Sequence, residues 1–447
     1  MTFDAIALHV PTILLPGPAV DLKRWAVIAC DQYTSDEEYW QKVASEVGEA
    51  PSTLNLIYPE VFLEEADSAG RIEAINSAMR RCLDDGTLQP QAPGFLLIDR
   101  QTEAVASRKG LIAALDLEAY DYNEGAASLI RATEGTILDR LPPRVRVRRH
   151  AAIELPHIMV LIDDPQQTVI EPLFATAGDP TYDTELMLGG GHLRGWHIGT
   201  SKLVNQVASA LQRLADPKTF SKRYDVDDKP VVLYAMGDGN HSFATAKAVW
   251  EELKANAADK TAIMDHPARY ALVELVNVHD PGLEFEAIHR VLFDVEPDAL
   301  LDALQADSTA AGSPLRVIRC ADQVELAARS TMESGAERHL IPFVDAKSCG
   351  LLVVEQPAFH LAVATLQHLL DTYLARQRGP RIDYIHGEET VTRLGSAPRR
   401  IGFYLPSISK HDLFKTIILD GALPRKTFSM GEADEKRFYL ECRRIVR

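Results

Sequence analysis

The sequence predicts an α/β or α+β chain of mixed sheets with flanking helices, and three observations predict it. Short apolar runs such as "WAVIAC" and "GFLLID" alternate with polar stretches of helical spacing, the pattern of layered strands and helices. Later in the chain the character changes, and stretches rich in Ala, Ser and Asp separate "PLRVIRC", "RHLIPFV" and "GLLVVEQP", which read as strands of a small sheet. The length of 447 residues, 46% of them hydrophobic, supplies more than one core. A main α/β region over residues 1–290 and a smaller α+β region over 291–447 are expected, with a C-terminal segment of the latter returning to the site.

The elements follow in order. "WAVIAC" reads as a strand that ends at Asp31, and "TSDEEYW" as a helix start capped by Thr34 or Ser35. Acidic residues there suit the positive end of the helix dipole. "RIEAINSAMRRCLDDG" is helical and stops on Gly86 in the C-cap place. "LIAALDLEAY" and "LPHIMVLIDDP" are further strands, the second ended by the turn signal "DDP". "SKLVNQVASALQRLADP" carries Leu203, Val207, Leu211 and Leu214 at helical spacing. "VVLYAM" is a strand and leads into another helix. Toward the end, "AFHLAVATLQHLLDTYLARQR" is a long helix, "RIGFYLP" a strand, and "LPRKTFSMGEADEKR" a polar segment. No internal repeat is present.

Composition excludes several function classes. The net charge of −17 disfavours an extended nucleic-acid or anionic-membrane surface, since phosphate backbones are bound through clustered Lys and Arg. No apolar window approaches the roughly 18 residues of a membrane span. The start "MTFDAIALHVPTILLPGP" lacks the basic n-region and cleavage site of a secretory signal, so a cytoplasmic location is expected. Five widely spaced cysteines form neither a disulfide framework nor a zinc pattern. Any anionic ligand therefore needs a local basic site. In "PPRVRVRRH", Arg144, Arg146 and Arg148 alternate with valines, so a strand would set all three on one face, either solvated or turned to phosphate.

The stretch "VVLYAMGDGNHSFATAKAVWEELK" carries the chemistry. Gly237 and Gly239 allow a sharp turn and a close backbone approach to a ligand. Phe243, Ala246, Trp250 and Leu253 then share one helical face, so the N–H groups of the first turn would point into the loop, where a phosphate binds. The dinucleotide fingerprint is absent because Ser242 stands at the third glycine position. The Walker pattern is absent as well. Asp238 would repel a phosphate unless neutralised, and Mg²⁺ held by Asp238 is the natural mediator. His241 could donate to a phosphate oxygen or to developing charge. The alternative is a structural turn, with Asp-Gly as a turn signal, Asp or Asn as N-cap and a half-buried histidine.

The run "GDGNHSFATA" resembles the Asp-Gly-His-His-Arg type motif of the family catalogued as domain of unknown function 1015. "WAVIACDQYTSDEEYW", "SLIRATEGTILDRLPPRVRVR", "ELPHIMVLIDDP", "GGGHLRGWHI" and "LPRKTFSMGEADEKR" are similar to the same family, so the resemblance covers nearly the whole chain. The family's central motif is similar to that of archaeal free L-serine kinases of the ParB and sulfiredoxin-like group. The resemblance implies a ParB/sulfiredoxin-like element around the motif and transfer of a phosphoryl group from ATP or ADP to free L-serine, giving O-phospho-L-serine. The chain departs from the motif at Asn240, where histidine is common, and at Ser242, where arginine is common and would supply a bidentate phosphate contact.

Phosphoryl transfer needs positioning, charge neutralisation and a group to receive the hydroxyl proton. Asp31, freed from capping by Thr34 or Ser35, is a candidate at a sheet's carboxyl edge. In "IRATEGT", Arg131 and Thr136 are candidate nucleotide contacts and Glu134 a candidate base or metal ligand. A turn with surface charges is the alternative. His192 follows three glycines and Arg194 adjoins it; both are candidate phosphate contacts, or members of a plain loop. His157 reads as a satisfied core histidine. In "PRKTFS", Lys426 and Thr427 could hold a phosphate, or belong to a solvated basic turn beside Arg425. The function expected is a Mg²⁺-dependent small-molecule kinase. A metal-dependent phosphohydrolase and a non-catalytic nucleotide- or amino-acid-binding protein are its rivals.

Overall fold

The computed structural model describes all residues except 35, 64–67, 124, 136–140, 336 and 432–434. The chain forms two units, Met1–Glu284 with Met430–Arg447, and Phe285–Ser429. No helix among the described residues is long and apolar enough to cross a membrane.

The first unit is built on a large mixed sheet. Nine strands form its main path: β1 (Phe95–Gln101), β2 (Arg108–Asp116), β3 (Tyr120–Asp121), β4 (Ile130–Arg131), β5 (Met159–Ile162), β6 (Tyr182–Glu185), β7 (His192–Ile198), β8 (Tyr234–Asp238) and β9 (Tyr270–Asn277). They lie in the order β6-β7-β1-β2-β9-β5-β8-β4-β3. β5 pairs parallel to β9 and antiparallel to β8, so the sheet is mixed as expected. Its central strands read as unbroken apolar runs because both faces are covered. Leu97, Leu111, Ala113 and Val273 enter one core, while Leu96, Ile98, Ile112 and Leu272 enter the other.

Among the helices of this unit are α1 (Glu37–Val47), α2 (Ser68–Asp84), α3 (Leu141–Arg148), α4 (Ser201–Leu214) and α5 (Asn240–Asn256). Helix α4 buries Val204, Val207, Leu211 and Leu214. The second unit is α+β. Its strands β10 (Phe285–Phe293), β11 (Leu315–Cys320), β12 (Arg338–Asp345), β13 (Cys349–Glu355), β14 (Arg381–His386) and β15 (Arg400–Phe403) run in the order β11-β13-β12-β15-β10-β14. Among its helices are α6 (Pro297–Ala310), α7 (Gln323–Glu333) and α8 (Ala362–Leu374). Leu300, Leu304, Leu366 and Leu370 share a core with Ile341 and Leu352.

Four expectations are corrected. "PPRVRVRRH" is not a strand: it forms α3, which places Arg144 and Arg148 four residues apart on one face and Arg146 elsewhere. Arg144 pairs with Glu60 and Arg148 with Glu154, while Arg146 is exposed. The valines serve the helix too, since Val145 and Val147 both pack against cores. "WAVIAC" yields only the two-residue strand Val27–Ile28, paired with Phe438–Tyr439, because Trp25 closes a short helix. The cap of α1 is Asp36, whose Oδ1 accepts the Tyr39 N–H at 2.9 Å, and not Thr34; Ser35 lies outside the described residues. Finally, α5 starts at Asn240, three residues before the first apolar position on its face.

Candidate functional site

Strand β8 delivers Asp238 through an irregularity. Met159 of β5 faces Asp238 while Val160 faces Met236, so Gly237 is an extra residue, a β-bulge of the kind that re-aims a neighbouring side chain. A Cβ at Gly237 would lie 2.8 Å from the Met430 methyl. Gly239 then takes φ of 78°, a conformation costly for other residues, and a Cβ there would stand 3.0 Å from the Ile158 Cα. The demand for glycine thus arises from the backbone and from β5. Helix α5 follows at once, and its N-cap, Gly239, supplies no side-chain cap. Asn240, His241 and Ser242 form the first turn, which has no side-chain cap among the described residues, at the helix end whose dipole favours an anion. Neither Asp238 nor Asn240 is the cap of α5, whose N-cap is Gly239.

Asp238 is held at both oxygens. Its Oδ1 accepts the Gly239 N–H at 2.8 Å, and its Oδ2 lies 3.1 Å from the ammonium of Lys436. Burial pushes its pKa up, but Lys436, His157 and the Gly239 N–H outweigh burial and hold the carboxyl below the ordinary aspartate value. It is therefore charged near neutral pH. The side chain of Lys436 is 14% exposed, and its ammonium also donates to the Met430 carbonyl at 3.1 Å. Nearby, Oδ1 of Asn240 is buried without a hydrogen-bond partner among the described residues, and its amide nitrogen sits 3.5 Å from the Thr133 hydroxyl.

Beside this loop His157 gathers a second group. Its Nε2 is 2.9 Å from Ser242 Oγ and 3.5 Å from Asp31 Oδ2, while its Nδ1 is 2.6 Å from the Tyr439 hydroxyl. That hydroxyl also reaches Cys30 Sγ at 3.2 Å and accepts the Cys30 N–H at 3.2 Å. Burial and the neighbouring Cys30 and Asp31 push the Tyr439 hydroxyl far above its usual range, so it stays protonated. Burial likewise raises the Cys30 thiol. Burial also raises Glu60, against the opposing effect of Arg144. Glu60, Arg144, His157, Ser242, Cys30 and Tyr439 line a cavity of about 140 Å³ whose remaining wall is largely apolar, with Leu56, Leu63 and Met79 among its residues.

A family model described as "Protein of unknown function (DUF1015)" matches residues 14–373. The chain is a member of the DUF1015 family. No curated protein sequence matches it. Among solved structures, it is similar to a free serine kinase in complex with AMP, at 8% identity and a TM-score of 0.38, over 75% of this chain and 91% of that one. A conserved hypothetical protein from Pyrococcus furiosus is similar at 9% identity and a TM-score of 0.36, over 74% and 90% of the two chains. SbnI from Staphylococcus aureus, with a C-terminal truncation, is similar at 8% identity and a TM-score of 0.34, over 72% and 82%. With TM-scores below 0.5, these likenesses carry no functional inference.

In this DUF1015 protein the residues singled out in the sequence divide into three groups. Asp31, Gly237, Asp238, Gly239, Asn240, His241 and Ser242 cluster around the end of β8, the start of α5 and His157. Arg131 and Glu134 adjoin them on and after β4, which pairs with β8. The Arg131 guanidinium is committed to the carbonyls of Ser128 and Pro230 at 3.2 and 3.1 Å, and burial lowers its pKa. Thr136 lies outside the described residues. His192 and Arg194 are not brought to this cluster: β7 stands five strands from β8, roughly 24 Å at sheet spacing. His192 is instead tied to Asp183 at 2.5 Å and Glu185 at 2.9 Å, and Arg194 to Asp99 at 2.6 Å. Lys426 and Thr427 belong to the second unit, where Lys426 is exposed and the Thr427 hydroxyl donates to the Pro424 carbonyl.

The cation at Asp238 is Lys436, ten residues beyond the lysine the sequence favoured. Tyr439 and Glu60 were missed, Arg144 was weighed only as part of a strand face solvated or turned to phosphate, and His157 was read as a satisfied core histidine. A signal existed for Lys436, since it lies in the quoted stretch "LPRKTFSMGEADEKR". None existed for Glu60. Among the described residues no group of three His, Cys, Asp or Glu side chains is placed to hold a metal.

Proposed function

We propose that this protein is a small-molecule kinase that transfers a phosphoryl group from ATP or ADP to the hydroxyl of free L-serine. One observation carries the reading: a charged Asp238, paired with Lys436, stands at the uncapped N-terminus of α5 beside a cluster of proton-accepting groups. The family resemblance of the central motif points the same way. Backbone N–H groups of the first turn and the Lys436 ammonium suit the transferred phosphate, whose stabilisation is the main task of such an enzyme. Asn240 Oδ1, buried and unpartnered among the described residues, is an acceptor suited to a ligand N–H or O–H.

Mg²⁺ takes one or two carboxylates and completes its shell with phosphate oxygens and water, and Asp238, whose Oδ2 now faces the Lys436 ammonium, is a carboxylate of that type. Asp238 is the residue that would hold it, and the bound ion would neutralise phosphate charge. The chain's own residues do the rest. The cavity beside His157 is below the roughly 300 Å³ of drug-sized ligand sites, a size for an amino acid and not for a nucleotide. Its Glu60–Arg144 ion pair is complementary to a zwitterion, the guanidinium to the carboxylate and the Glu60 carboxylate to the ammonium. Asp31, 26% exposed at the side chain, would receive the proton of the acceptor hydroxyl.

Nucleotide turnover measured with and without L-serine tests this reading. Consumption that depends on L-serine is expected. Phosphate release that proceeds equally without serine would select a phosphohydrolase, and tight nucleotide binding without turnover would select a binding protein.

A further inference from the structure

Ser242 occupies a position where family resemblance leads one to look for arginine, and it does not behave as a substitute phosphate contact. Its hydroxyl makes a 2.9 Å hydrogen bond to His157 Nε2. The ring is fixed from the other side, with Nδ1 2.6 Å from the Tyr439 hydroxyl. One of the two proton arrangements these contacts allow leaves a base on Ser242. Tyr439 donates to Cys30 Sγ at 3.2 Å and accepts from His157 Nδ1–H and the Cys30 N–H. That tautomer leaves Nε2 with a lone pair facing the Ser242 O–H. Asp31 Oδ2, 3.5 Å from the same nitrogen, would stabilise the imidazolium formed when Nε2 takes the proton. A hydroxyl on a base, the base oriented by a third group and its cation balanced by a carboxylate, is the arrangement of an activated nucleophile. Ser242 is half-buried and lines the cavity with His157, so its oxygen is open to a reacting atom.

We infer that Ser242 is a nucleophile that carries the phosphoryl group as a covalent phosphoserine between donor and acceptor. This rests on the phosphotransfer reading above and adds an intermediate to it. In the first step the bond from Ser242 Oγ to phosphorus forms, the bridging P–O bond of the nucleotide breaks, and the shortened nucleotide leaves with the electron pair. The Ser242 proton passes to His157 Nε2. In the second step the acceptor hydroxyl attacks that phosphorus and gives its proton to Asp31. The Oγ–P bond then breaks, and Oγ recovers the proton from His157. The Ser242 phosphate sits in the first turn of α5, where a helix N-terminus favours negative charge.

The test uses the full chain with Mg²⁺ and ATP or ADP radiolabelled at the terminal phosphate, without acceptor, quenched in acid within one turnover. Intact mass should rise by one phosphoryl group, and peptide mapping should place the label on Ser242. Ser242→Ala should lose the label and reduce turnover by at least a hundredfold, while Ser242→Thr, which keeps a hydroxyl, should regain label as phosphothreonine. Adding L-serine should discharge the label into a soluble product. Turnover of nucleotide by the parent with no protein-bound label, or a Ser242→Ala variant as fast as the parent, overturns the intermediate and leaves direct transfer standing. No nucleotide consumption by the parent under any acceptor removes both readings.

Discussion

At the residue scale, Asp238 and Lys436 form one electrostatic unit and two expectations follow. Asp238→Asn removes the charge that suits a cation while keeping size and the Gly239 N–H contact. Turnover should fall at least a hundredfold, a loss typical of removing one group that acts on transition-state charge, with nucleotide affinity changed much less. Steady-state kinetics beside a binding titration measures both, and near-parental turnover would make Asp238 a turn residue. Lys436→Ala deletes a charge-assisted contact of about 1.5–3 kcal/mol, so KM for nucleotide should rise roughly ten- to hundredfold. It also removes a group that holds the Asp238 carboxyl low, so the acid limb of the pH–rate profile should move to higher pH. Lys426→Ala should change neither quantity. The acid and amide of the central run stand out in the sequence because they are contiguous; tertiary packing alone brings His157 to Ser242 and Glu60 to Arg144.

At the scale of elements, β8, its bulge and the start of α5 act together. Gly239→Ala forces a Cβ into positive φ, about 1–2 kcal/mol, and toward the Ile158 backbone. A melting temperature lower by several degrees is expected, together with weaker nucleotide binding, because the first turn of α5 must shift. Parental binding in a folded variant would show that the turn holds no phosphate. The C-terminal segment forms a second such unit. Buried Arg437 joins Glu274 at 2.6 Å and also pairs with Glu441, while Arg443 pairs with Glu154 at 2.7 Å. Arg437→Met would remove the cation between two buried carboxylates, leaving Glu274 with Arg108 at 4.0 Å and Glu441 with the Tyr182 hydroxyl, a loss of about 3–5 kcal/mol, which thermal melting should register as a drop of roughly 10 °C. This segment was hard to read because its strands are two residues long and pair with residues hundreds of positions away. Helix α3 misled for the opposite reason: its Arg-Val alternation imitates a strand, and two valines serving two different cores override that period.

At the scale of the whole molecule, the first unit encloses a histidine that should make the fold acid-sensitive. Burial, and then Arg443, lower the pKa of His9 from 6.5 to about 4, and the ring stacks on Tyr270 at 4.0 Å. Because the folded state disfavours the imidazolium, the stability tied to neutral His9 is fully present above pH 6.5 and is lost as pH falls toward 4. His9→Phe should therefore melt with a smaller decline between about pH 7 and pH 5 than the parent. Equal declines would show that His9 does not contribute. The mixed sheet and the separate α+β unit were legible from apolar runs and their spacing, since burial on both faces writes itself into composition. A C-terminal segment was expected to return to the site, but the ion pairs that Arg437 and Arg443 make within the first unit are announced by no local pattern. The central claim concerns this unit as an enzyme, and the most direct measurement is mass-spectrometric detection of product from isotope-labelled L-serine with Mg²⁺ and ATP or ADP. Labelled O-phospho-L-serine formed in step with nucleotide loss is the expected result, and loss of nucleotide with all serine recovered unmodified would contradict it.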